Sequence, residues 1–264
     1  MSECRLGLVS YLNTSPFRYG LRELGHTSWI NEVPARLLAL LEGGQVEAAV
    51  VPSFDVLSRP GLVVLPGSCI ACRGAAHSVK LFSHIPLRQV TAVALDTSSH
   101  TSAAMARIIL QSLGASPTYL PMPPDLDAML KAADAALLIG DPCMRAEASG
   151  LLVADLGEEW LRLTGLPFVF AVWAAIAGAD HADLVSLIAE AKRVGLANLA
   201  RVAEEESERV GLDRQVCLAY LRDHMRYDLD DRARAGLERF RQLAVAQGLI
   251  ADAGPVRFDL GISA

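Results

Sequence analysis

Short apolar runs alternate with stretches of helical spacing along the first two thirds of the chain. The run 5–12 (RLGLVSYL) reads as a strand, and 34–44 (PARLLALLEGG) as a helix opened by Pro34 and stopped by Gly43 and Gly44. Residues 46–53 (VEAAVVPS) form the next strand, and 61–72 and 78–85 are two more β-rich runs. A second unit opens at 90–96 (VTAVALD). In 97–115 that follows, Met105, Ile108, Ile109 and Leu113 recur at helical spacing and Gly114 closes the helix. A Pro-rich turn and short helix cover 120–133, an apolar strand 135–141, and a deeply buried strand 168–177. From about residue 180 the pattern is helical only, over 182–209, 213–226 and 230–248.

This order predicts an α/β fold: two β-α-β units with mainly parallel sheets, then a helical C-terminal part. Proteins of that kind bind ligands in the crevice at the carboxyl ends of their strands. Here those ends carry Ser10 and Asn13, Ser53, Asp96 to Ser98, and Gly140 with Asp141, small polar residues suited to a cleft.

Composition narrows the field. At 264 residues, 52% hydrophobic and 20% charged, the chain is an ordinary folded protein able to bury a sizeable core. A net charge of -6 gives no electrostatic reason to expect nucleic acid or an anionic membrane as partner. The opening MSECRLGLVSYLN has no long apolar secretory segment, and no run nears the roughly 20 residues of a membrane span, so a cytoplasmic location is expected. Five cysteines are an odd set, and Cys69 and Cys72, a lone CxxC, read as buried or loop thiols. The six histidines show no HxxE, HxH or His-Cys spacing, so no metal site is expected.

Each polar cluster has two readings. SYLNTSPF can be a capped polar turn or a set of ligand-binding groups. In DTSSHTS (96–102) the hydroxyls can cap a helix, cradle a carboxylate at its N-terminus, or do both. Asp96 and Asp141 can bond loop amides or, with a raised pKa, act as acid or base; the structural role is expected for Asp96 and stays open for Asp141. Phe168, Phe170 and Trp173 read chiefly as core, with one aromatic able to wall a planar ring.

Seven collinear blocks, VSYLNTSPF, VVPSFDVL, SVKLFS, VALDTSSHTS, LPMPPDLDAML, AALLIGDP and DLGEEWLRLTGLPFVFAVWAA, closely resemble the chorismate dehydratases of the futalosine route to menaquinone. The resemblance spans about residues 5–176 and continues more weakly through the tail. It implies a type 2 periplasmic-binding-protein-like fold with an interlobe cleft, lobe one being 1–86 plus 175–264 and lobe two 87–174. On that pattern SVKLFS and FVFAVWAA are the two crossings.

The reaction it implies is loss of water from chorismate, giving 3-[(1-carboxyvinyl)oxy]benzoate without a metal or redox cofactor. Asn13 is then the side chain nearest the reacting ring. Ser10, Ser53, Ser78, Thr97, Ser98, Thr101, Ser102 and Asp141 are the expected substrate-binding residues. The partner is the small molecule chorismate, with no nucleic acid or membrane, and the oligomeric state is left open. Two rivals share the fold. One is the sister enzyme forming 1,4-dihydroxy-6-naphthoate, expected to use a cleft histidine with no convincing counterpart here. The other is a non-catalytic binding protein for small carboxylates.

Overall fold

The computed structural model describes residues 4–259; residues 1–3 and 260–264 of the expected first lobe lie outside that range. The chain begins β1 (Leu6–Val9), α1 (Ser15–Glu23), β2 (Trp29–Glu32), α2 (Pro34–Glu42), β3 (Ala48–Pro52), α3 (Ser53–Leu57) and β4 (Leu62–Cys72). It continues β5 (Val79–Ser83), β6 (Ala92–Asp96), α4 (His100–Ser112), β7 (Thr118–Met122), α5 (Leu126–Ala132), β8 (Ala135–Ile139), α6 (Gly140–Arg145), β9 (Leu152–Asp155) and α7 (Leu156–Thr164). After β10 (Phe168–Ile176) come α8 (Ala182–Ala197), α9 (Leu199–Val210), α10 (Arg214–Ala219), a π-helical turn (Tyr220–His224), β11 (Met225–Arg226) and α11 (Asp231–Ala246).

Two sheets result, β11-β4-β10-β3-β1-β2 and β7-β6-β8-β5-β9. With the two-residue edge strand β11 set aside, both follow one plan. Three parallel strands lie in the order second, first, third; next comes the strand that has just arrived from the other sheet, antiparallel, and then the fourth. The sheets are therefore mixed but mainly parallel, as the strand-helix alternation predicted, with β10 or β5 as the one reversed strand in each plan. A parallel neighbour needs a long crossover connection, usually a helix. β5 and β10 enter straight from the opposite sheet without one.

The expected lobe boundaries need correction on the same ground. They place β5 in the first lobe and most of β10 in the second, with the crossings inside those strands. The ladders do the reverse: β5 pairs with β8 and β9, and β10 with β3 and β4. The chain passes between sheets at 73–78 and 165–167. Asp155, the N-cap of α7, accepts from the N–H groups of Gly157 and Glu158 and also from those of Ala76 and His77, which ties the first crossing to a helix start.

The helix expected over 182–209 is two helices. At Asn198 the side-chain amide donates to the Val194 carbonyl at 2.8 Å, offering the backbone a local partner, and φ of -122° interrupts the helix. α8 lies directly on α1. A Cβ at Gly195 would stand 1.9 Å from the Pro16 carbonyl oxygen, and one at Gly20 1.9 Å from that of Ala191, so two glycines permit the backbones to touch. This packing fixes the helix that follows the loop carrying Asn13.

Candidate active site

The carboxyl ends of β1, β3, β6 and β8 converge between the two sheets, and a cavity opens there. Tyr11, Asn13, Pro52, Ser78, Ser99, Ser102, Ile139, Gly140 and Phe170 are among the residues that line it. No Lys, Arg, Asp or Glu does so among the described residues. Its polar equipment is neutral: hydroxyls, one carboxamide and backbone.

Asn13 belongs to a single 3₁₀ turn, Leu12–Thr14, between β1 and α1. The turn is bound tightly to its surroundings. Thr14 Oγ1 donates to the Val9 carbonyl at 2.6 Å and Ser15 Oγ to that of Leu12 at 2.6 Å. Arg18 Nη1 donates to the carbonyls of Val9 and Tyr11 and to Thr14 Oγ1, while its Nη2 donates to Glu206 at 2.9 Å. Asn13 Oδ1 is out of reach of solvent and has no hydrogen-bond partner. The residue lines the cavity, and a buried acceptor without a partner beside it marks this turn as a place where a polar group has been left for something other than the fold.

Ser78 also lines the cavity, at the end of the crossing into the second sheet. The buried phenol of Tyr220 donates to its Oγ at 2.9 Å, and its carbonyl accepts from the N–H of Gly140. Ser99 caps α4, its Oγ accepting from the Ser102 N–H at 3.2 Å; both side chains reach the cavity. Phe170 arrives there through an irregularity, because β10 shifts register against β4 between Val169 and Ala171. A bulged position re-aims its side chain, and Phe170 lines the cavity while Phe168 and Trp173 stay in the core.

Of the nine residues expected at the site, Asn13, Ser78 and Ser102 line the cavity. The other six are placed elsewhere. Ser10 is exposed at the strand end and Thr97 is exposed beyond β6. Ser53 is fully buried and donates to the Val169 carbonyl at 2.8 Å, beside the irregularity in β10. The Ser98 N–H closes a turn on Asp96, and its hydroxyl meets that of Tyr11. Thr101 Oγ1 accepts from the Phe54 N–H at 3.0 Å, joining α4 to α3. Asp141 accepts from the Leu12 N–H at 2.9 Å. Helix-start hydroxyls and strand-end carboxylates are equally suited to bonding backbone across a closed interface, and Ser53, Thr101 and Asp141 do that.

Sequence reasoning passed over Tyr11, Ser99 and Tyr220 as site residues, and it named Gly140 only as a strand end. Tyr11 and Ser99 sit inside the matched blocks. Gly140 has φ of +67°, and a Cβ there would lie 2.9 Å from the Tyr11 ring, so the aromatic can rest on bare backbone.

Burial pushes the carboxyl pKa of both Asp96 and Asp141 up, against backbone N–H bonds that favour the charge; for Asp141 the N–H is that of Leu12, with Arg209 further off. Burial also pushes up the thiols of Cys69 and Cys72, which lie wholly inside β4. A thiol so held is a poor nucleophile. No group of three or more metal-ligating side chains is found among the described residues.

Two lobes of one repeated plan, joined by two crossings and enclosing a cavity, make a periplasmic-binding-protein-like fold. The solved structures it is similar to include the aliphatic sulphonate-binding protein SsuA of Escherichia coli (TM-score 0.68, 15% identity, 98% of this chain and 94% of that one). Another is a protein from Archaeoglobus fulgidus (TM-score 0.71, 17% identity, 94% of this chain and 98% of that one). The chain belongs to the menaquinone-biosynthesis family, whose model matches residues 4–246. It is 36% identical over 256 residues to the chorismate dehydratase of Thermus thermophilus, covering 90% of this chain and 93% of that protein.

Proposed function

We propose that this protein is a chorismate dehydratase, a hydro-lyase of the futalosine route working in the cytoplasm without metal or redox cofactor. The observation that carries the proposal is the 36% identity to a chorismate dehydratase over 90% of the chain. The cavity supports it chemically. Chorismate is a dicarboxylate whose ring becomes aromatic when a proton and the neighbouring hydroxyl leave. The C–H electron pair becomes a ring double bond as the C–O bond breaks, and water is the by-product.

Aromatisation makes the step strongly downhill, so the protein's task is to orient the ring, assist proton removal and help hydroxide depart. The neutral wall suits this. Ser99 and Ser102, at the start of α4, offer hydroxyls to a carboxylate; Phe170 and the aliphatic residues around it face the ring. Asn13 is the residue we assign to the reacting centre, with its carboxamide orienting the departing hydroxyl or a water. A carboxamide has very little basicity. The proton is therefore taken by a substrate carboxylate or a bound water. The two lobes, 77–165 and the remainder of 4–259, close over the ligand on this reading.

The test is to incubate purified protein with chorismate, adding no metal or nucleotide, and follow products by mass and ultraviolet absorbance. An aromatic product lighter by one water is expected. Tight binding with chorismate unchanged would make this a binding protein, and no effect at all would direct attention to the sister substrate.

A further inference from the structure

Ser78 faces the cavity on one side and Tyr220 on the other. Tyr220 belongs to the helical tail, 142 residues away in sequence, and donates its hydroxyl to Ser78 Oγ at 2.9 Å in full burial. It opens the π-helical turn Tyr220–His224 that closes α10. Such turns are rare, and they are found frequently at functional sites. The Asn13 carboxamide is the second polar group beside this phenol. One buried hydroxyl thus adjoins both cavity side chains on which the proposed chemistry depends.

Either hydroxyl of this pair can donate, and the cavity favours one direction: a ligand oxygen there can take a proton only from Ser78, which leaves Tyr220 as the donor to it. A serine hydroxyl has one proton to give and two places to accept. With Tyr220 donating to Ser78, the serine proton is left for the cavity, where a ligand oxygen can take it. Asn13 Oδ1 meanwhile stays unpaired. The site therefore presents a donor at Ser78 beside the Asn13 carboxamide. Burial alone does not demand this arrangement. Tyr227, equally buried nearby, has a hydroxyl with no partner, so the interior here tolerates an unpaired phenol.

We propose that Tyr220 is a positioning residue for the dehydration, holding the Ser78 hydroxyl as a donor to the substrate and keeping the Asn13 carboxamide in register with it. This rests on the cavity being the dehydratase site. Tyr220 touches no substrate; it acts through Ser78.

Four variants test it: Tyr220→Phe, Ser78→Ala, the double variant, and Tyr227→Phe as a control for loss of a buried hydroxyl. Losing the Tyr220 hydroxyl is expected to lower kcat for chorismate about tenfold, with KM and melting temperature little changed. In the Ser78→Ala background the same substitution is expected to change kcat less than about twofold, because its effect is carried by the serine. Tyr227→Phe should match wild type. A Tyr220→Phe kcat at the wild-type value overturns the proposal, and so does a tenfold loss that persists undiminished without Ser78. A wild-type protein that leaves chorismate intact, or a fully active Ser78→Ala, overturns the reading of the site together with it. Should Tyr220→Phe not fold, 3-fluorotyrosine at position 220 keeps the ring and makes the phenol a stronger donor. It should then alter kcat in the presence of Ser78 and leave it unaltered in Ser78→Ala; an equal effect in both overturns the role.

Discussion

The backbone N–H of Leu12 donates to Asp141 Oδ1 at 2.9 Å, a buried bond from the loop after β1 in one lobe to the first turn of α6 in the other. It is one of several interlobe ties. Thr101 accepts from the Phe54 N–H, Asp55 meets His100, and Arg145 Nη1 donates to the Val210 carbonyl at 2.7 Å. Asp141, expected to hold substrate, here holds the lobes together beside the cavity.

Asp141→Ala should therefore leave a buried donor unsatisfied, costing about 1–3 kcal/mol of stability. Asp141→Asn should behave differently. Burial raises the carboxyl pKa, so the stability this group supplies is complete below its ordinary value of 3.8 and is lost as pH rises through the raised value. At neutral pH the ionised form carries a burial cost that an amide does not, while an amide oxygen still accepts from Leu12. Thermal melts at pH 7 should show Asn near wild type and Ala several degrees lower, at about 2–4 °C per kcal/mol. Equal losses in the two variants would refute the assignment.

The ion pair between His100 Nδ1 and Asp55 Oδ1, 2.7 Å long, joins the two lobes and should give the proposed closure a pH dependence. Its hydrogen bond to Asp55 raises the His100 pKa above 6.5, with burial and the neighbouring Arg59 opposing. The contribution of the pair is thus complete below 6.5 and fades as pH climbs through the raised value. His100 is 56% exposed, so the effect is that of a solvent-screened pair, below about 1 kcal/mol or roughly fivefold in an equilibrium. KM for chorismate should rise by a factor of about 2–5 between pH 6 and pH 8.5 in wild type. In His100→Gln it should be flat, and a slope as steep as wild type would remove the pair from any part in closure.

Arg18 governs the loop itself. One guanidinium, only 12% exposed, donates to two carbonyls and a hydroxyl of the segment 9–14 and pairs with Glu206 on α9. Arg18→Met keeps the stem and removes every one of those bonds. Glu206 retains Arg209 at 2.5 Å, so the stranded-charge penalty is partly relieved. A loss of roughly 2–4 kcal/mol is expected, together with reduced turnover because the carbonyls that shape the Asn13 turn are released. A melting temperature within about 1 °C of wild type would show that the turn is held by other means.

The four strand ends were legible because an apolar run that stops in small polar residues looks the same in sequence and in space. Asn13, Ser78 and Ser102 came from motif blocks, and all three face the cavity. The direction of β5 and β10 was not legible, since a short buried run carries no mark of parallel or antiparallel pairing. Phe170 becomes a wall through a register shift that its neighbours Val169 and Ala171 do not announce. Tyr220 reaches Ser78 from a tail whose pattern reads only as amphipathic helix. Hydroxyls that bind ligand and hydroxyls that bind backbone have one chemistry, which is why Thr101 and Ser53 could not be told from Ser102 by residue type.

Gly140 offers a steric test of the same wall. With φ of +67° and Tyr11 2.9 Å from where a Cβ would stand, Gly140→Ala meets both backbone strain and an aromatic ring. A cost of roughly 1–3 kcal/mol follows from the strain alone. The displaced Tyr11 should also raise KM more than it lowers kcat, because Tyr11 walls the cavity without reaching the assigned reacting centre. Unchanged KM with normal stability would mean that the ring shifts freely.

Asn13 supplies the most direct prediction. Its Oδ1 is buried and unpartnered, an arrangement that costs stability unless a ligand or water completes it. Asn13→Leu, of similar shape and without the acceptor, should therefore be at least as stable as wild type. It should also lose turnover of chorismate by about 100-fold or more, the scale on which a single preorganised polar group acts at a reacting centre. Asn13→Ala should lose turnover equally, with the added space affecting stability instead. Since the group is assigned to the reacting centre and not to the carboxylates, KM should move far less than kcat in both. Near-normal turnover in either variant would take Asn13 out of the chemistry and leave the serines and the substrate's own carboxylate as the remaining participants.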